Sequence, residues 1–410
     1  VMCSYNEING VPMCANQELL NGQIRQNWSR PDTLVVTDCG AVTNMVPHGD
    51  RHGAAPSNNK YKTLVEATAA SINSGADLET GPVWTGDDVL DAKGKVMPKG
   101  GLVEAVAAGT VSMSTIDRAL GRALAAKMKL GIFDPDSGSA YLKYGINDLS
   151  SPGHVTALAE AAAQSFVLLS NPAGALPLKP GGSLAVVGPH SVTRAGLLAG
   201  YAGDSWCYTE KYDGSHKETD CIPPIGESLA TANVGGATTI VEGVPVTMAC
   251  NTSNPFFGNA SCDIAKAVAA ARQAETVVLC LGSSSQNDEG PSVDSEGHDE
   301  PDYSLPGSQK ALADAIFAVG KPVVLLLVNG GIVQIDDYAH KAAAVVEAFL
   351  PALQAPALAA QLYGRTNRWG KLPVTYYSGK LPWNLTDMAV STGVGRTYRY
   401  YSGTPLYEFG

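Results

Sequence analysis

The polarity pattern of the first 136 residues alternates short apolar runs with helical periodicity. Within "LVVTDCGAV" (Leu34–Val42), the run Leu34–Val36 predicts the end of a strand buried on both faces, and Asp38 follows it almost at once. Thr63–Gly75 ("TLVEATAASINSG") predicts an amphipathic helix closed by glycine, followed by a short strand "ADLE" that again ends in an acid. Ser114–Gly131 carries the clearest helical signal. Ser114 with Asp117 makes a capping-box-like start, and Ile116, Leu120 and Leu124 form one stripe. Lys127 and Lys129 sit in the last turn before Gly131. Strand–loop–helix repetition with acids at strand C-terminal ends fits part of a (β/α) barrel, whose active sites lie on that face.

Residues 137–153 are dominated by turn formers and predict an interdomain linker. A second rhythm follows: helix Val155–Leu169, strand Leu184–Gly188, helix Asp263–Ala274, strand Thr276–Gly282, helix Ser308–Val319, strand "PVVLLLV", strand "AAVVEAFL" and helix Ala355–Tyr363. Continuous apolar strands between helices imply a parallel sheet covered on both faces, so the fold class is α/β throughout.

Composition narrows the partners. Against 39 acidic residues stand 28 basic ones, a net charge of −11, and no basic run stands out. That balance argues against nucleic acid or an anionic membrane surface as partner. The longest apolar run, Pro322–Val328, is far too short to span a bilayer. Cys207 with Cys221 and Cys250 with Cys262 each close a short polar loop without Cys-x-x-Cys spacing or histidine partners, which predicts disulfides rather than zinc. Glycosylation sequons at Asn27, Asn251, Asn259 and Asn384 agree with secretion. The chain opens inside the apolar run "VMCSYN" without a starting methionine or signal peptide and stops at "PLYEFG", and it reads as an internal piece of a longer protein.

No metal and no nucleotide cofactor is expected. His48 and His52 in "PHGDRHG" do not have a recognised ligand spacing, and neither "VGPH" nor "NGG" continues into a phosphate-binding loop.

The stretches "VMCSYNEINGVPMCANQELLNGQIRQNW" and "LVVTDCGAV" resemble the barrel-end segment of glycoside hydrolase family 3. Then "GPH" (Gly188–His190), "EGHD…LPGSQ" (Glu296–Gln309), "KPVVLLLVNGG", "GKLPVTYY" (Gly370–Tyr377) and "GRTYRYYSGTPLYEFG" (Gly395–Gly410) follow in that family's order. The resemblance covers nearly the whole chain, and in detail it is to the secreted β-xylosidase branch, since Cys39 follows the aspartate where β-glucosidases usually carry tryptophan. It implies the C-terminal half of a (β/α)8 barrel over 1–136, with the first half encoded upstream. After the 137–153 linker, an αβα sandwich would occupy 154–377, and an extension over 378–410 would lead towards a fibronectin-like domain.

The same resemblance implies the chemistry: a retaining exo-acting β-glycosidase releasing terminal sugars from an oligo- or polysaccharide. Asp38 matches the family's catalytic nucleophile, an ionised carboxylate that attacks the anomeric carbon. The acidic stretch Ser283–Gly307 holds two candidates for the acid/base. Glu296 in "EGHD" matches the xylosidase-like form and is preferred. Glu289 in "DEGPSVD" resembles a form found in some β-glucosidases. Glu300 stands where the family usually has arginine. Tyr5 matches a tyrosine that lines the sugar pocket, whereas Met2 reads equally as core packing. Cys39 is assigned to the pocket, with a buried thiol or a disulfide partner of Cys3 or Cys14 as the alternatives. Asp77 and Glu79 in "GADLETG" read as pocket acids or as structural ones. Two other functions stay open, a β-glucosidase of the same family and a carbohydrate-binding protein on a weakened hydrolase scaffold.

Overall fold

The computed structural model describes residues 1–46, 60–86, 101–145, 148, 151–201, 219–254, 258–259, 262–285, 303–379 and 389–410. The chain divides into two compact units, Val1–Tyr144 and Gly145–Gly410.

In the first unit, β1 (Met2–Cys3) is followed by a hairpin of β2 (Glu7–Ile8) and β3 (Val11–Pro12). Asn9 and Gly10 turn that hairpin with φ of 52° and 74°, the left-handed pair that a two-residue turn needs. A π-helical segment, Glu18–Asn27, leads to β4 (Val36–Thr37), which pairs in parallel with β1 so that Cys3 faces Thr37. The strand expected at "ADLE" shrinks to one bridge, Leu78 beside Val36. Thr80 explains this, because its hydroxyl donates to the Thr37 carbonyl at 2.7 Å and so occupies the next ladder position. Helix Leu64–Ser74 forms as its pattern predicts. Thr63 caps it by accepting from the Glu66 N–H, and Gly75 ends it at φ 114°. Helix Met113–Lys129 starts one residue earlier than expected, and its cap is Ser112, which accepts from the Thr115 N–H at 3.2 Å. Ser114 is therefore inside the helix and not its cap. Leu120, expected on the buried stripe, is 51% exposed, and Ala119 is the buried residue of that helix.

The second unit is built on a six-stranded sheet. Its strands are β5 (Val167–Ser170), β6 (Ser183–Val187), β7 (Ala237–Val241), β10 (Thr276–Gly282), β11 (Val323–Val328) and β12 (Ala344–Glu347), with the small pair β8 (Ser253–Asn254) and β9 (Gly258–Asn259) standing outside it. The order across the sheet is β5-β12-β11-β10-β6-β7, parallel except for β5 against β12. Alternate residues of β10 and β11 point to opposite faces. Val277, Leu279, Leu281, Leu325 and Leu327 pack with helices Ile264–Gln273 and Gln309–Phe317. Val278, Cys280, Val324, Leu326 and Val328 pack with helices Ile225–Ala232 and Ala355–Leu362. Both faces are covered, which is why these strands are apolar throughout.

The helix expected over Val155–Leu169 spans Pro152–Ser165 instead, inside the predicted linker at its start, and Val167–Ser170 is β5. "FVLLS" is a short apolar run that helical and strand periodicity describe equally well, and here pairing with β12 decides it. Within 378–410, the last residues return to the sheet domain. Leu406 donates to the Tyr376 carbonyl and Gly410 to that of Leu372, both at 2.8 Å.

Candidate active site

Asp38 lies one residue beyond β4. Its N–H donates to the Cys3 carbonyl at 2.9 Å, so the parallel ladder with β1 fixes its backbone. The chain then turns sharply, with Ala41 N–H donating to the Asp38 carbonyl at 3.1 Å and Gly40 at φ 78°. That turn points the Cys39 N–H at Asp38 Oδ1, 2.8 Å away. The Tyr5 hydroxyl, brought from just past β1, donates to the Cys39 carbonyl. Asp38, Cys39 and Tyr5 are thus one hydrogen-bonded group at the end of a parallel pair, with Asp38 half-buried. Met2, on β1 itself, is 59% exposed.

The neighbouring acids are structural. Asp77 is buried, pairs with Arg25 and with Arg122 at 3.0 Å, and accepts from the Val35 N–H at 2.9 Å. It ties helix, strand and π-helical segment together and does not project into open space. Glu79 accepts from the Trp84 and Val83 N–H groups at 2.6 and 3.2 Å. Burial raises its carboxyl above the usual range, and those two amides oppose the shift. Cys3 and Cys14 are bonded at 2.07 Å, which leaves Cys39 as a free, exposed thiol.

In the second unit the chain runs from β6 to β7 on one side and then crosses to β10 on the other. The carboxyl ends of β6 and β10 therefore form the topological switch point of the sheet, where ligands gather in open α/β folds. Gly188 and Gly282 close those two strands. A Cβ on Gly188 would lie 2.2 Å from the Cys280 carbonyl oxygen, and one on Gly282 would lie 1.8 Å from that of Val328. Only glycine fits either place. Around them sit buried polar side chains: His190, Ser283, Ser284, Gln309, Asn329 and Glu347. Burial holds His190 neutral by pulling it down to about 4. Sequence reasoning passed over Gln309 and Glu347: Glu347 is an acid closing an otherwise apolar strand, whereas Gln309 shares its helix with Lys310 and Asp314 and gives no local signal.

The stretch Ser283–Gly307 leaves from this switch point. Glu289, Glu296 and Glu300 lie outside the described residues, as do His48, His52, Cys207 and Asn384. Cys221 is disulfide-bonded, and Cys250–Cys262 is bonded at 2.08 Å. Among the described residues, no cluster of acids, histidines and cysteines could hold a metal ion, and no helix is long and apolar enough to cross a membrane.

Residues 166–410 match the glycosyl hydrolase family 3 C-terminal domain. The chain belongs to glycoside hydrolase family 3. It is 32% identical over 421 residues to beta-D-xylosidase 1 of Arabidopsis thaliana, covering 100% of this chain and 47% of that protein. A probable exo-1,4-beta-xylosidase of Aspergillus fumigatus is likewise 32% identical, over 425 residues, with 100% and 47% covered. Among solved structures, the family 3 exo-beta-xylosidase XlnD, in complex with a xylobiose aziridine probe, superposes with a TM-score of 0.76 at 26% identity, covering 100% of this chain and 48% of that one. A beta-glucosidase of Erythrobacter marinus gives a TM-score of 0.72 at 27% identity, covering 100% and 51%. This family 3 chain spans about half the length of the curated relatives it matches.

Proposed function

We propose that the chain carries both catalytic carboxylates of a retaining, exo-acting β-glycosidase of the β-xylosidase type, with Asp38 as nucleophile and Glu296 as acid/base. The observation that carries this is the seat of Asp38. It stands at the carboxyl end of a parallel strand, half-buried, with Oδ1 anchored by the Cys39 N–H and the turn clamped by Tyr5. A carboxylate needs that fixed orientation to meet an anomeric carbon.

In the first step Asp38 forms a bond to C1 as the C1–O bond to the leaving sugar breaks, and the acid hands its proton to the departing oxygen. In the second step the same residue takes a proton from water, the water oxygen bonds to C1, and Asp38 is released as carboxylate. Tyr5, Met2, Cys39 and Glu289 are assigned to sugar contact. Residues 1–136 are read as the C-terminal half of a (β/α)8 barrel, 137–153 as a linker, 154–377 as the sandwich and 378–410 as an extension. Disulfides and the sequons at Asn27, Asn251, Asn259 and Asn384 favour a secreted glycoprotein acting on an oligo- or polysaccharide.

The test is turnover of aryl β-xylosides and β-glucosides by the full-length protein, with the anomer first released followed by proton NMR. The β-anomer is expected, and faster xyloside than glucoside hydrolysis. A 2-fluoro-xyloside should become attached to the peptide containing Asp38. Glu296→Ala should recover rate on activated aryl substrates when azide is added. Release of the α-anomer would sink the retaining mechanism. Turnover of neither substrate would leave the carbohydrate-binding reading, to which Glu300 in the family's usual arginine place already points.

A further inference from the structure

Gln309 is fully buried, at 0% exposed, on a helix whose other inward residues are Leu312, Ala313 and Ile316. Its amide is completely engaged with backbone. Oε1 accepts from the Gly282 N–H at 2.9 Å, and Nε2 donates to the Gly282 carbonyl at 2.7 Å and the Val246 carbonyl at 2.6 Å. Gly282 is the last residue of β10, and Gln309 is the first of its helix. One side chain therefore fastens the two ends of the segment 283–308, which contains Glu296. A second fastening lies beside it: Ser308 Oγ accepts from the Cys250 N–H at 2.9 Å, and a Cβ on Gly307 would come within 2.6 Å of the Met248 carbonyl oxygen. The Cys250–Cys262 disulfide holds that stretch in turn.

Packing alone does not call for an amide here. Leucine or methionine would fill the same space, and a buried amide is tolerated only when its donors and acceptor are all satisfied. The polarity of Gln309 goes wholly to Gly282 and Val246, where it sets the distance between the departing and returning chain.

We propose that Gln309 is a positioning residue for the acid/base: it fixes the roots of the segment that presents Glu296 and so sets the proton's reach to the leaving oxygen. This rests on the assignment of Glu296 made above. General acid catalysis depends on hydrogen-bond reach, so loosened roots should impair protonation of poor leaving groups and spare good ones.

The test compares kcat/KM on a dinitrophenyl β-glycoside with that on the disaccharide of the same sugar, using full-length protein. Gln309→Met, which keeps length and burial, should lower the disaccharide rate by about tenfold or more and the dinitrophenyl rate by less than about twofold. Equal loss on both substrates, the signature of less folded enzyme, would overturn the proposal, and so would no loss on either. If Gln309→Met does not accumulate, Ser308→Ala decides: a loss of about threefold confined to the disaccharide supports the proposal, and an equal or absent loss ends it. Glu296→Ala run alongside separates the two claims. Should it show no leaving-group selectivity while Gln309→Met does, the acid is another residue of the same segment and the role of Gln309 stands.

Discussion

Cys39 donates its backbone N–H to Asp38 Oδ1 at 2.8 Å, so the residue after the candidate nucleophile also aims it. The Cys39 carbonyl accepts from the Tyr5 hydroxyl, which couples the end of β1 to the same turn. Tyr5→Phe keeps the ring and removes that bond, worth about 1 kcal/mol net. The expected result is a fall in kcat of about fivefold with little change in melting temperature, because the part-exposed ring stays packed. Asp38→Asn should remove turnover by about a thousandfold or more while leaving the melting curve in place. Comparable kcat values for Asp38→Asn and wild type would end the nucleophile assignment.

Asp77 should behave in the opposite way. It is buried between Arg25 and Arg122, and removing one partner of a buried ion pair leaves the others charged and unpaired. Asp77→Asn is expected to cost about 3–5 kcal/mol of stability, read by denaturant unfolding of the full-length protein. The enzyme that does fold should keep its KM. A raised KM with unchanged stability would instead place Asp77 in the sugar pocket.

The two free cysteines among the described residues differ in access. Cys39 is exposed, whereas Cys280 is fully buried in β10 and its thiol is pushed up by burial. Iodoacetamide on the native protein should therefore modify Cys39 and leave Cys280 intact, as peptide mass spectrometry will show. The added group sits beside Asp38, so turnover should fall in step with labelling, and Cys39→Ser should resist both. Full activity after complete modification would remove Cys39 from the pocket.

The parts of the fold written in local pattern were legible. β10 and β11 are continuous apolar runs, and helix Leu64–Ser74 carries its own caps in Thr63 and Gly75. Where the pattern was ambiguous, pairing decided: β5 is a strand because β12 lies next to it. The Asn9-Gly10 hairpin had a strong signal that was missed. Seats that depend on distant partners could not be read locally. Asp77 meets Arg25, 52 positions away, and Glu347 meets Tyr376, 29 positions away. The position of Asp38 after a strand was legible, but the clamp from Tyr5 onto Cys39, 34 positions apart, emerges only from the parallel pairing of β1 and β4.

Glu347 supplies a prediction about pH. It is wholly buried at the end of β12, where Oε2 accepts from the Tyr376 hydroxyl at 2.7 Å and from Asn329 at 3.2 Å, and Oε1 accepts from the Phe349 N–H at 2.9 Å. Burial pushes its carboxyl from 4.5 up to about 7, against the pull of those donors. The folded state therefore holds this proton more tightly than the unfolded chain does. The resulting stability is complete below about pH 4.5 and is lost as pH rises through about 7. His190 works in the other direction. Burial lowers it from 6.5 to about 4, so its contribution is present above 6.5 and lost as pH falls towards 4. Wild-type stability mixes the two slopes, but the difference between wild type and Glu347→Gln isolates one, since His190 is common to both. The advantage of wild type over Glu347→Gln should shrink by on the order of 3 kcal/mol between pH 4.5 and pH 8 in urea unfolding. Tyr376 also pairs through its backbone with Leu406 and Tyr407, so protection of those amides from hydrogen exchange should fall over the same window. A difference that stays constant across it would mean that the folded protein holds the Glu347 proton no more tightly than the unfolded chain does.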